Sequence, residues 1–258
     1  MNKVLAVVFG LILVFSLAVT VSAKSEDANI PERSGDYPDP EHPGVRVRVF
    51  VHEPKPAKPT STQSLLLVCP TPDPDSTAVV PATPWHLPTS WTYTLNPSSV
   101  PSSVGSGNLA TIAGKAFTQW TNAIAGKVTI SKTASDTTAN RARFDGQNII
   151  TWGRTSASAL AVTYTWYYTS SGLAAEEDTI FNKQYPWFWN PSNNTCTDSN
   201  SYDAQDILTH ETGHWMGLDD TYSINYVDNT MYGYGSKGEV KKDTLTTGDT
   251  QGVQAIYP

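Results

Sequence analysis

The residues best suited to chemistry lie in one short stretch, Thr209-His210-Glu211-Thr212-Gly213-His214-Trp215-Met216-Gly217-Leu218-Asp219-Asp220. Residues four apart on a helix share a face, so His210 and His214 can present two imidazoles to one ion with Glu211 beside it. A bare His-Glu-x-x-His also arises by chance, and surface or satisfied core histidines are its ordinary explanation. The surroundings add to the signal. Of the five histidines in the chain, the other three, His42, His52 and His86, lie in or beside a proline-rich region, so a downstream third ligand has to be a carboxylate. Gly217 suits a helix stop in the left-handed conformation. Past that stop the chain can double back and carry Asp220 to the ion, with Asp219 as its immediate competitor and Glu239 as a more distant one.

The elements that position these residues are legible from spacing. Asp203 and Asp206 fall in the first turn of the motif helix, where the dipole favours anions, and Ala204, Ile207, Leu208 and Trp215 give it a buried stripe. Upstream, Leu109, Ile112, Ala113, Ala116, Phe117, Trp120 and Ile124 recur at helical spacing, predicting a long amphipathic helix over 108–125 that ends at Gly126. Residues 91–95, 128–131, 148–152 and 160–168 read as strands, and Asp178-Thr179-Ile180-Phe181-Asn182 as a short strand with polar edges. Strands and a helix followed by a mainly helical end predict an α+β or α/β sheet domain. The strand at 178–182 is a candidate edge for an extended peptide. Glu176, Glu177 and Asp178 read as a solvated acidic turn, or as a calcium site if their oxygens converge.

Composition bounds the rest. The 258 residues carry a net charge of −7, with 39% hydrophobic residues and eight Trp. That supports a packed core and offers no electrostatic footprint for nucleic acid. Residues 4–21 are almost wholly apolar and end in Val21-Ser22-Ala23. This predicts a secretory signal peptide over 1–23 and no stable membrane association once it is cleaved; an uncleaved N-terminal anchor is the alternative. Residues 24–84 hold most of the 18 prolines and read as an extended linker or pro-segment. One strand-like island stands inside it, at 45–51, where Val45, Val47, Val49 and Val51 alternate with Arg46, Arg48 and Phe50. The sequence leaves open whether the island docks on the folded domain at 85–258 or leaves with a propeptide. In a secreted chain Cys69 and Cys196 form a disulfide, provide a thiolate that latches a metal, or stay free.

His210-Glu211-x-x-His214-x-x-Gly217-x-x-Asp220, followed by Thr230-Met231-Tyr232, resembles the extended zinc motif and Met-turn of the metzincin metalloendopeptidases. The segment 245–257 is similar to the last helix of matrixin catalytic domains. The resemblance spans about residues 85–258 and is most specific from 202 onward. It implies an α+β, matrixin-like catalytic domain with a twisted mixed sheet, a long N-terminal helix, a zinc helix and a C-terminal helix after the Met-turn. It also implies zinc as cofactor and proteins or peptides as substrates. Two departures stand out. Asp220 replaces the third histidine of most matrixins, as in the snapalysin-like branch, which lowers the charge of the site by about one unit and acidifies water less. The pro-segment cysteine motif is also missing, since Cys69-Pro70-Thr71-Pro72-Asp73 keeps only the Cys-x-x-Pro-Asp spacing.

The implied chemistry is peptide hydrolysis at zinc held by His210, His214 and Asp220. Glu211 takes a proton from water and later delivers it to the leaving amine. Met231 would form an apolar floor, and Tyr232 and Tyr234 either line a substrate pocket or pack. The position two residues after the methionine, a tyrosine ligand in some metzincins, is Gly233 here. The rival from another class is a secreted binding module with a structural zinc and no proteolytic activity. Glu211 speaks against it, because a closed four-ligand site has no use for a base.

Overall fold

A computed structural model of the protein describes residues 30–56, 73–156, 158–191 and 198–258. The signal-peptide reading of 1–23, Cys69 and Cys196 all lie outside the described residues. Along the chain run β1 (Gly35–Pro38), β2 (Val45–Pro54), β3 (Ser90–Leu95), α1 (Leu109–Ala123), β4 (Thr129–Lys132), β5 (Ile149–Gly153), β6 (Ala161–Tyr168) and β7 (Ala174–Asn182). The short β8 (Trp187–Phe188) and β9 (Tyr202–Asp203) precede α2 (Ala204–Trp215), β10 (Tyr234–Gly235) and α3 (Thr247–Ile256). The α+β class expected from the sequence is the one observed.

Seven strands of the main sheet run in the order β1-β2-β6-β7-β5-β3-β4, and β10 joins it through β2. The pairs β3–β4, β3–β5 and β5–β7 are parallel, whereas β6 is antiparallel to β7 and β2 antiparallel to β6. A parallel neighbour needs a crossover, and α1 supplies it between β3 and β4. Its apolar stripe is the predicted one: Leu109, Ile112, Ala113, Ala116, Phe117 and Trp120 are all buried.

Both helices of the main core sit on one face of the sheet, and indole N–H groups fasten them. Trp120 donates to the Thr209 carbonyl at 2.9 Å, tying α1 to α2, and Trp215 donates to Thr179 Oγ1 at 3.0 Å, tying α2 to β7. The opposite face carries a second apolar cluster, built by Val45, Val47, Val49 and Val51 of β2 with Val162, Tyr164, Trp166 and Ile180. The proline-rich region is therefore not all linker, because its strand-like island is a full member of the sheet.

Two expectations are corrected. The strand at 178–182 is not an edge: β7 lies between β5 and β6 and is almost wholly buried. The triplet 176–178 is not a solvated turn, since all three carboxylates are buried in β7. Nor do they converge. Successive strand residues point to opposite faces. Glu176 accepts from the Asp145 and Gly146 amides, and Asp178 from the Arg143 and Ile149 amides. These two carboxylates pin the 143–149 loop instead of building one oxygen cage, and among the described residues the triplet forms no metal-holding group.

Candidate metal centre

Helix α2 begins where its sequence says it should. Asp203 is its N-cap and accepts from the Gln205 and Asp206 amides at 2.7 and 2.9 Å. At the far end Gly217 adopts φ +92°, and a Cβ there would meet the Trp85 carbonyl at 2.5 Å, so only glycine fits this reversal. The reversal brings Asp220 back over the helix.

His210 and His214 sit one turn apart on α2, with ring centroids 4.8 Å apart. Each ring is oriented by a backbone carbonyl. His210 Nδ1 donates to the Thr230 carbonyl at 2.7 Å, and His214 Nδ1 donates to the Leu218 carbonyl at 2.9 Å. With the proton on Nδ1, both rings aim an unprotonated Nε2 at the Asp220 carboxylate, 3.2 Å (His210) and 3.6 Å (His214) from Oδ1. These ligand atoms all lie within 4.8 Å of one another. His210 Nε2, His214 Nε2 and Asp220 Oδ1 are buried and have no hydrogen-bond partner. Three electron-rich atoms facing one another in a buried site repel unless a proton or a cation lies among them, and nitrogen and oxygen donors in this number suit zinc. The residues thus fit the metal.

Burial also sets the protonation states that a metal needs. It pushes His214 down to about 3 and His210 well below the ordinary imidazole range, so both rings are neutral, the form in which an imidazole can bind a metal. Burial raises Asp220, against the opposing pull of His214. Glu211, fully buried, is pushed up to about 8 by burial, with Thr163 and Lys242 acting the other way. A nearby dication would reverse this balance and favour the carboxylate.

Glu211 is held at both oxygens. Thr163 on β6 donates to Oε2 at 2.6 Å, and His52 Nδ1 on β2 lies 3.0 Å from Oε1. His52, His210 and Glu211 form a second group of mutually close ligand atoms. The rest of the expected set is placed as follows. Met231 is fully buried beneath α2, and a Cβ on Gly213 would lie 2.3 Å from its Sδ, so a glycine makes room for the methionine. Tyr232 is buried, while Tyr234 with Tyr222 lines a cavity of about 400 Å³ beside the end of β2. Asp219 turns away to Arg48 at 3.2 Å. Glu239 bonds the Ser236 amide and Lys241 and belongs to neither ligand group.

Several residues at the site escaped the sequence reading. Asp249 caps α3 and also accepts from the Thr230 and Met231 amides at 2.8 and 3.2 Å, so it fixes the turn whose carbonyl orients His210. Tyr222 donates to Asp220 Oδ2 at 3.1 Å. Its ring occupies the space beside Gly233, where a Cβ would approach it to 2.4 Å. Phe50 and His52 were within reach, because continuing the alternation of 45–51 by one residue puts them on the face opposite the valines. Thr163 and Lys242 carry no such signal.

The model of the family described as Matrixin, Peptidase_M10, matches residues 84–258. Among curated proteins, none matches the chain.

Proposed function

This chain belongs to the matrixin family of zinc metalloendopeptidases, and from that premise we propose that it is a secreted endopeptidase whose zinc is held by His210, His214 and Asp220, with Glu211 as general base. The catalytic domain is 85–258, residues 24–84 are its N-terminal extension, and 1–23 is a secretory leader removed on export. No helix among the described residues is long and apolar enough to cross a membrane.

The observation that carries this reading is the convergence of two unprotonated Nε2 atoms and one carboxylate oxygen at a buried point, with Glu211 on the same helix. Zinc, when bound, supplies a Lewis acid that polarises the scissile carbonyl and acidifies water. Everything else is the work of side chains. The Thr230 and Leu218 carbonyls fix the two imidazole tautomers. Tyr222 holds the outer oxygen of Asp220. Glu211 receives a proton on a carboxylate oxygen and returns it to the leaving nitrogen, while Thr163 keeps that carboxylate in place. Trp85, fully buried, donates its indole N–H to the His214 carbonyl at 3.1 Å and so packs against the helix that carries the two imidazoles.

The test is cleavage of casein and of a diverse peptide library by purified zinc-loaded protein, beside Glu211→Ala. The wild type should cleave, and the variant should keep its zinc and lose activity by at least about 100-fold, the usual scale of a general base. Undiminished cleavage by Glu211→Ala defeats the assigned base. Zinc binding without cleavage of any peptide would replace the peptidase with a zinc-containing binding module.

A further inference from the structure

Among the described residues, Lys242 is the only lysine or arginine that is buried, and it is buried completely. A charge taken out of water is costly unless its surroundings offset the loss. Nζ donates to the Tyr232 and Tyr234 carbonyls at 2.7 and 2.9 Å and lies 3.3 Å from His52 Nε2. His52 gives its one ring proton to Glu211 Oε1, 3.0 Å from Nδ1, so Nε2 is an acceptor. Three acceptors therefore face three N–H groups, which is the pattern of an ammonium. All three are neutral. Asp206 accepts at 2.7 Å from the Lys242 main-chain amide and not from the ammonium.

The charge lies one imidazole away from the base. The same His52 ring packs on His210, with centroids 4.0 Å apart. Burial raises Glu211 and Asp220, and the charge of Lys242 opposes that rise at both. One ammonium thus acts on the base and on a carboxylate of the ligand group, in a buried region where its field is screened little. Asp220 has the opposite effect on the same region. It makes the ligand set one unit more negative than three histidines would, and its charge adds to the rise of Glu211. The two carbonyls that hold the ammonium and the Asp206 that holds its main chain all belong to the matched segment 84–258.

We propose that Lys242 is the charge counterpart of Asp220, a buried ammonium that returns to the hydrolytic centre the positive unit an aspartate ligand removes. The inference rests on the peptidase reading above and adds a residue to that site. Lys242 touches neither the ligand atoms nor the base. It acts through its field and through His52, and negative charge that develops at the centre during hydrolysis is stabilised by it.

The experiment uses the full chain. Lys242→Gln removes the charge and keeps a donor for the carbonyls; Lys242→Met removes both and serves if the glutamine variant does not fold. Zinc affinity, measured by competition with a chelator, should rise by at least ~3-fold in the charge-free variant, because a nearby cation opposes the binding of a dication. A lysine that only holds the 232–234 segment would weaken zinc binding when lost. The kcat for casein should fall by at least ~10-fold with KM within ~2-fold of wild type, since the charge acts on the transition state. In an Asp220→His background the same lysine substitution should change kcat by less than ~2-fold, because the two positions are coupled and the charge to be balanced is gone.

Weaker zinc binding in a folded charge-free variant overturns the proposal, as does an equal loss of kcat on both backgrounds. Failure of the peptidase reading looks different: zinc affinity rises as expected while no form cleaves casein.

Discussion

Thr163 Oγ1 donates to Glu211 Oε2 at 2.6 Å, and the bond ends a one-way chain of donors. Trp215 Nε1 donates to Thr179 Oγ1, which leaves the Thr179 hydroxyl to donate to Thr163 at 2.7 Å and the Thr163 hydroxyl to donate to Glu211. A donor-only indole at one end and an acceptor carboxylate at the other fix the direction of every proton between them. The helix that carries the base is thereby keyed to the two central strands β6 and β7.

Thr163→Val keeps the shape and removes the donor, leaving one buried carboxylate oxygen unpaired. A stability loss of about 1–3 kcal/mol is expected from denaturant unfolding, with Thr163→Ser close to wild type. Equal stability of the Val and Ser variants would show that the bond has no part in holding Glu211.

Asp249 accepts from Thr230, Met231 and Thr246 while fully buried. Asp249→Ala strands these donors and frees the turn that orients His210. Thermal unfolding should occur well below wild type, and competition with a chelator should show zinc affinity reduced by about 10–100-fold. An unchanged affinity in a folded Asp249→Ala protein would separate the Met-turn from the metal centre.

Asp243 gives a pH dependence. Burial, with the charges of Asp203 and Asp206, pushes its carboxyl up to about 10 from an ordinary 3.8. The folded state therefore keeps a proton that the unfolded chain releases above 3.8, so its stabilising contribution is complete below that value and is lost as pH rises toward 10. Asp243→Asn does not titrate. Urea unfolding at several pH values from about 5 to about 8 should show wild type losing stability relative to the variant, by at most about 1.4 kcal/mol per pH unit. Parallel pH profiles would rule out a buried neutral Asp243.

The parts of the fold that the sequence made legible are those governed by local period. Helix α1 carries its stripe at 3.6-residue spacing, and β6 alternates, so each is found within a residue or two of its observed bounds. The grouping of His210, His214 and Asp220 was legible because the two histidines sit at helical spacing and Gly217 marks the reversal that returns Asp220. The misreadings share one cause. Whether β7 is an edge or an interior strand depends on neighbours far away in sequence, and Glu176 and Asp178 look solvent-facing until the 143–149 amides they bind are known. Likewise the seat of β2 depends on pairing with β6, which the alternation of valines announces only as some sheet partner. Lys242, fully buried and satisfied by the Tyr232 and Tyr234 carbonyls, reads in sequence as an ordinary surface lysine.

Zinc stoichiometry of single-residue variants bears most directly on the centre. Folded Asp220→Ala should fall from about one zinc per chain to near none, while Asp219→Ala and Glu239→Ala keep it, as a site with three protein ligands requires. A full complement of zinc in Asp220→Ala, with loss in Asp219→Ala or Glu239→Ala instead, would contradict the proposed ligand set.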